Sequence, residues 1–124
     1  MERYLLVMLG GALGSLLRYA LGAWVQGFLG PGFPWSTFLV NALGSLLIGA
    51  VVRFSLEGAL GEARLFLAVG VLGGFTTFSS FSYETLALVQ DGEVLLALAY
   101  ALGSLLLSFI LVYLGYRLGG MLVA

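Results

Sequence analysis

Within a largely apolar chain of 124 residues, a few polar side chains stand where they could act on an ion. Asn41 lies inside the run Thr37-Phe38-Leu39-Val40-Asn41-Ala42. A side-chain amide among apolar residues needs hydrogen-bond partners. Two readings fit it. One is a bond to a neighbouring helix. The other is a neutral donor for an anion, because the NH₂ group offers two protons without a charge. Arg18 interrupts the first apolar stretch, either as an anchor that snorkels to the membrane interface or as a charge lining an anion vestibule. Glu84 is the only carboxylate well inside an apolar run. It suits a vestibule charge, a proton-linked group or a partner for an arginine.

The densest polar segment is GGFTTFSSFSYE, residues 73–84. Adjacent glycines, then β-branched Thr76 and Thr77, then serines make a poor recipe for uninterrupted helix. An interruption would free carbonyls at membrane depth, where irregular backbone survives only if buried in protein or lining a cavity. Freed carbonyls of broken helices hold Na⁺ in transporters. The other reading is a glycine kink, with the hydroxyls bonded back to their own helix. Phe78 and Phe81 are neighbours on a helix. Two such rings ordinarily mean core or lipid contact. An aromatic ring also has a positive edge that can solvate a small anion weakly, and weak solvation lets an ion leave a channel. Tyr100, Ser104 and Ser108 are spaced by four, which puts three hydroxyls on one helix face. They form either a polar track or ordinary back-bonded hydroxyls.

These residues need elements to hold them. The chain is 61 % hydrophobic and only 9 % charged, against roughly 25 % charged in a soluble domain. Apolar surface must therefore face lipid, and the fold class is an all-α membrane protein. A transmembrane helix takes about 20 apolar residues, and four segments fit: 4–25, 34–54, 65–89 and 94–118. Together they make a single four-helix transmembrane domain over residues 1–124. The first segment is expected to be a retained span, because no cleavage site and mature domain follow it. Breakers and most charges fall in the connectors: GFLGPGFP at 27–34, the segment 53–64, and QDGE at 90–93. Gly10, Gly14, Arg18 and Gly22 recur every four residues, and Ser45 and Gly49 repeat that spacing. Such faces let helices approach closely. Four helices are too few to enclose a wide pore, so function is expected to need an oligomer with the pathway near a subunit interface.

The same inventory excludes other functions. A net charge of −1 gives no basic surface for nucleic acid. There is no His and no Cys, and no buried pair of carboxylates, so acid–base and nucleophilic catalysis lack their groups.

Three runs carry a family resemblance: GGFTTFSSF at 73–81, the glycine-rich run from Gly10 to Tyr19 that ends in Arg18-Tyr19, and TFLVNALGS at 37–45. Together they resemble the CrcB/Fluc family of fluoride channels, and the four-span layout matches over the whole chain. The resemblance implies a third helix broken near its middle and an antiparallel, dual-topology dimer with two pores. It implies passive export of fluoride across a bacterial inner membrane. Asn41, Thr37, Thr77, Phe78, Phe81, Tyr100, Ser104 and Ser108 would line the fluoride path, with Arg18 and Glu84 toward the vestibules. Backbone carbonyls of Gly73 and Thr76 from both subunits would hold a structural Na⁺ at the dimer centre.

One feature runs against free dual insertion. With four spans, both termini and the 53–64 connector share one side, which carries Arg3, Arg53, Arg64 and Arg117. The opposite connectors carry no arginine, and Arg18 lies near that face. This favours one orientation. A homodimer is expected, with a heterodimer of oppositely inserted, paired subunits as the alternative. The competing function is a small multidrug-type transporter subunit, which needs a carboxylate midway along its first helix. That region reads Ala12-Leu13-Gly14-Ser15-Leu16.

Overall fold

The computed structural model describes residues 1–123. Four helical segments are long and apolar enough to cross a membrane: Glu2–Leu29, Trp35–Leu56, Leu65–Gln90 and Val94–Leu122. The protein is therefore a multi-pass membrane protein. Helix α1 covers Glu2–Leu29 and α2 covers Trp35–Leu56. Each runs a little past the apolar core read from the sequence. For α1, the stop comes at Gly30, whose φ of 86° leaves helical space. The third crossing is composite. It opens as a π-helix, Leu65–Leu72, and continues as one α-turn, α3, Gly73–Phe75. Thr76 and Thr77 are extended, at φ −87°, ψ 156° and φ −148°, ψ 125°. Helix α4 then runs over Phe78–Gln90, and α5 over Val94–Val123.

Close packing depends on glycine. A Cβ at Gly10 or Gly14 would run into backbone carbonyls of Phe66 and Val71 on the π-helix. On the other side of the bundle, Gly49 of α2 and Gly115 of α5 lie against the carbonyls of Val112 and Leu46. Their smallness lets backbones meet directly, which is how helices associate where lipid removes the usual hydrophobic drive. Gly22 of α1 similarly accommodates Ser36 at the start of α2.

Packing places α1 against the π-helix, α3 and α2, while α5 packs on α2 and α4. The third crossing thus changes neighbours at Thr76 and Thr77. Its first half belongs to α1, its second half to α5, and α2 lies between. Few side chains are fully enclosed; Val40 and Tyr100 are the largest. Most large apolar side chains point outward, as a lipid-facing surface requires.

The glycine contacts give a paired prediction. Gly14→Ala should destabilise the protein by about 1–3 kcal/mol, the usual cost of forcing a methylene into a filled site. Gly27, also in α1, has no neighbour within 4 Å of its would-be Cβ, so Gly27→Ala should be neutral or slightly stabilising. Thermal unfolding in detergent measures both, and equal shifts would contradict the packing described.

Candidate ion site

The site is built around two extended residues that sit at membrane depth and whose backbone groups still need partners. Asn41 of α2 supplies them for Thr77. Its Oδ1 accepts from the Thr77 N–H at 2.8 Å, and its Nδ2 donates to the Thr77 carbonyl at 2.9 Å. The interhelical bond, one of the two readings open for Asn41, is thus present, and one amide proton is left over. The two threonines divide the remaining work. Thr76 closes the first half: its N–H and its hydroxyl both donate to the Leu72 carbonyl, at 3.1 and 3.0 Å. Thr77 opens the second half, its hydroxyl accepting from the Ser80 N–H at 3.2 Å as an N-cap. Gly73 and Gly74 stay helical, so the chain departs from the helix at the threonines. Gly74 is needed for its size, since a Cβ there would press on the Gly11 backbone at 2.7 Å.

Arg18 reaches from α1 and donates its Nε–H to the Gly74 carbonyl at 3.1 Å. Carbonyls at the end of a helix have no intrahelical partner; here Leu72 is claimed by the Thr76 hydroxyl and Gly74 by Arg18, while the carbonyl of extended Thr77 is claimed by Asn41. Among the described residues, no turn, loop or side-chain hydrogen bond reaches the carbonyls of Gly73 or Thr76.

Two cavities flank this link. One, of about 420 Å³, is lined by Asn41, Gly73, Thr76, Thr77, Phe78, Phe81, Ser104 and Ser108 among others. The other, of about 650 Å³, brings together Arg18, Thr37, Thr77, Ser80, Glu84 and Asp91. Thr77 lines both. Phe78 and Phe81 lie with ring centroids 5.7 Å apart, and Phe78, which lines the first cavity, is 67 % exposed. Ser104 is buried and its hydroxyl has no partner among the described residues. Tyr100 lines neither cavity. It is wholly buried, packs on Phe81 at 5.2 Å, and donates its hydroxyl to Glu84 Oε1 at 3.1 Å. Of the three hydroxyls spaced by four, Ser104 and Ser108 therefore face a cavity while Tyr100 braces a carboxylate.

Sequence reasoning passed over Gln26, Phe33 and Ser80. For Gln26 a signal existed. It is the amide nearest a Gly/Pro turn whose carbonyls need donors.

The arrangement defines a four-span membrane protein with a polar seam where its third crossing is extended, which suits a small ion channel. The chain belongs to the family described as CrcB-like protein, Camphor Resistance (CrcB), whose profile matches residues 5–116. It is 79 % identical over 123 residues to the fluoride-specific ion channel FluC of one strain of Thermus thermophilus, covering 98 % of this chain and 97 % of that one. It is 78 % identical over 124 residues to FluC of a second strain of the same species, covering 99 % of each chain. The fluoride-specific ion channel FluC of Rhizobium meliloti is 48 % identical over 120 residues, covering 95 % of this chain and 96 % of that one.

The Asn41 geometry sets a test. Asn41→Asp removes the donation to the Thr77 carbonyl and turns a carboxylate toward that oxygen. Ion flux should fall at least about tenfold, since a charged acceptor left facing an acceptor costs more than about 1.4 kcal/mol. Flux from reconstituted vesicles, with chromatographic size as a folding control, measures it. A wild-type rate would remove the Asn41–Thr77 pair from the conducting structure.

Proposed function

We propose that the chain is one subunit of a fluoride-selective channel that lets the anion leave the cell passively across a bacterial inner membrane. The observation that carries this is Thr77, held by Asn41 between two cavities, in a chain nearly four-fifths identical to channels named for fluoride. Fluoride is small and strongly hydrated. A path must replace part of its water without trapping it. The first cavity offers neutral groups for this: the spare Asn41 amide proton, the Ser104 and Ser108 hydroxyls, and the edges of Phe78 and Phe81. Arg18 supplies positive charge in the second cavity, and Thr37 and Thr77 continue the polar lining. Glu84, tied to Tyr100, borders that cavity as a fixed acceptor.

The extended pair is the break in the third helix, and it sits at the centre of an antiparallel dimer. The first cavity lies on an open apolar face, so a second subunit would complete it. The Gly73 and Thr76 carbonyls fit a structural Na⁺ there. Both residues line that cavity, and no turn, loop or side-chain hydrogen bond among the described residues reaches either carbonyl. No cluster of three acidic, His or Cys side chains occurs among the described residues, so neutral oxygens suit a monovalent ion better than a divalent one. The partner is a second copy of the chain in the opposite orientation. The arginines at the end shared by the termini favour an alternative, a paired subunit of opposite bias.

The test is efflux from liposomes that contain this chain alone. Fluoride is expected to leave far faster than chloride, and flux from the single chain would make the partner a second copy. Comparable chloride flux, or none for fluoride, would sink the reading. The sodium site is checked separately. Replacing Na⁺ by a large organic cation should weaken the dimer and reduce flux, with recovery on returning Na⁺. Dimer stability and flux that ignore the exchange would rule the ion out.

A further inference from the structure

Gln26 lies in the last turn of α1, just before a connector that cannot satisfy itself. Residues 30–34 read Gly-Pro-Gly-Phe-Pro, and neither proline has an N–H. Gly30 and Gly32 hold φ of 86° and 106°, a backbone that other residues rarely adopt. The Gln26 side chain fills the gap with three hydrogen bonds. Its Nε2 donates to the carbonyls of Gly30 at 2.7 Å and Phe33 at 3.0 Å. Its Oε1 accepts from the Ser36 N–H at 3.1 Å, in the first turn of α2. One amide thus joins the end of α1, the turn and the start of α2.

The turn so held sends Phe33 inward. Its ring stands edge-on to Tyr100, centroids 5.3 Å apart and planes at 89°, and meets Phe38 at 5.6 Å. Tyr100 is the buried residue whose hydroxyl holds Glu84. Gln26, Phe33 and Glu84 all border the larger cavity, which Thr77 joins to the smaller one. A continuous set of contacts therefore links the Gln26 amide to the acidic wall of that cavity and, through Phe81, to the ring pair.

We propose that Gln26 is a positioning residue of the ion-entry path: its amide locks the 30–34 turn so that Phe33 buttresses Tyr100, and Tyr100 in turn fixes Glu84 at the mouth. The path assignment rests on the channel reading above, whereas the lock itself rests on geometry. Gln26 touches no ion in this scheme. It holds the Phe33, Tyr100 and Glu84 wall of that cavity in place.

Gln26→Met keeps the length and apolar bulk of the side chain and removes all three bonds. Fluoride efflux should slow about fivefold to tenfold, the population shift expected from losing one or two net hydrogen bonds. Dimer elution should not change. Phe33→Leu should slow efflux similarly, and the double variant should be no slower than the slower single one, because both act through one link. Gln26→Glu supplies a readout that general destabilisation would not move. Ionised, it keeps the acceptor for Ser36 but faces two carbonyls; protonated, it regains one donor. Its efflux relative to Gln26→Met should therefore rise as pH falls from about 7.5 to about 5.5, toward the carboxylate range. Arg18, Tyr19, Glu84 and Asp91 border the same cavity in both variants, so the ratio isolates position 26. A wild-type rate for Gln26→Met, additive losses in the double variant, or a ratio flat with pH would each overturn the proposal. Absent fluoride efflux from the unsubstituted protein would instead overturn the channel reading. The lock is then judged by hydrogen exchange at the Ser36 amide, which should quicken in Gln26→Met; unchanged exchange would overturn it.

Discussion

The two hydrogen bonds between the Asn41 amide and the backbone of Thr77 are the constraint around which this protein is organised. An extended residue in the middle of a membrane has an N–H and a C=O with no helix and no water to satisfy them. A primary amide is a neutral side chain that can serve both groups at once, with separate donor and acceptor atoms. Serine or threonine would have to turn one hydroxyl to both tasks. A carboxylate would lose the donor. Asn41 must then sit at the depth of Thr77, which fixes the height of α2 relative to the third crossing. The glycine faces hold that height by bringing α1 onto the π-helix and α2 onto α5 with backbone in contact.

Most of the neighbouring polar side chains are paired in the same way. Thr76, Thr77 and Arg18 satisfy the groups nearest the extended link, and Gln26 satisfies those of the turn at the end of α1. Back-bonding takes care of Ser82 and Thr85, whose hydroxyls donate to the carbonyls of Phe78 and Phe81. Among the described residues, the buried Ser104 hydroxyl has no partner, no turn, loop or side-chain hydrogen bond reaches the carbonyls of Gly73 and Thr76, and Asn41 uses one of its two amide protons. These border the cavity on the open face, where a ligand or a second subunit would meet them.

Much of this is legible in the sequence. Four apolar segments, their turns and the small-residue faces follow directly from composition and spacing. The polar run in the third segment marks where regular helix would be costly. Its detail is less legible. The glycines look like the weak point by propensity, yet they stay helical and serve close approach, while the threonines leave the helix because their hydroxyls can cap both ends. Asn41 could not be assigned between its two readings, because that depends on which backbone lies opposite. Tyr100 reads as a pathway hydroxyl by its spacing with Ser104 and Ser108. Its ring faces a turn aromatic, Phe33, that periodicity cannot bring into view. The π-helix has no sequence signature either, and it lies where α1 glycines press against its carbonyls.

The interruption at Thr76 and Thr77 has an electrostatic consequence. A continuous helix crossing a membrane carries its partial charges at its two ends, near water. Here α3 ends and α4 begins inside the bundle, so the carbonyl pole of one half-helix and the amide pole of the next lie within a few residues of each other. The first pole attracts cations and the second attracts anions. One discontinuity in the backbone thus sets two partial charges of opposite sign at nearly the same depth. It does so without burying a formal charge in the link itself, the most expensive thing a membrane protein can do.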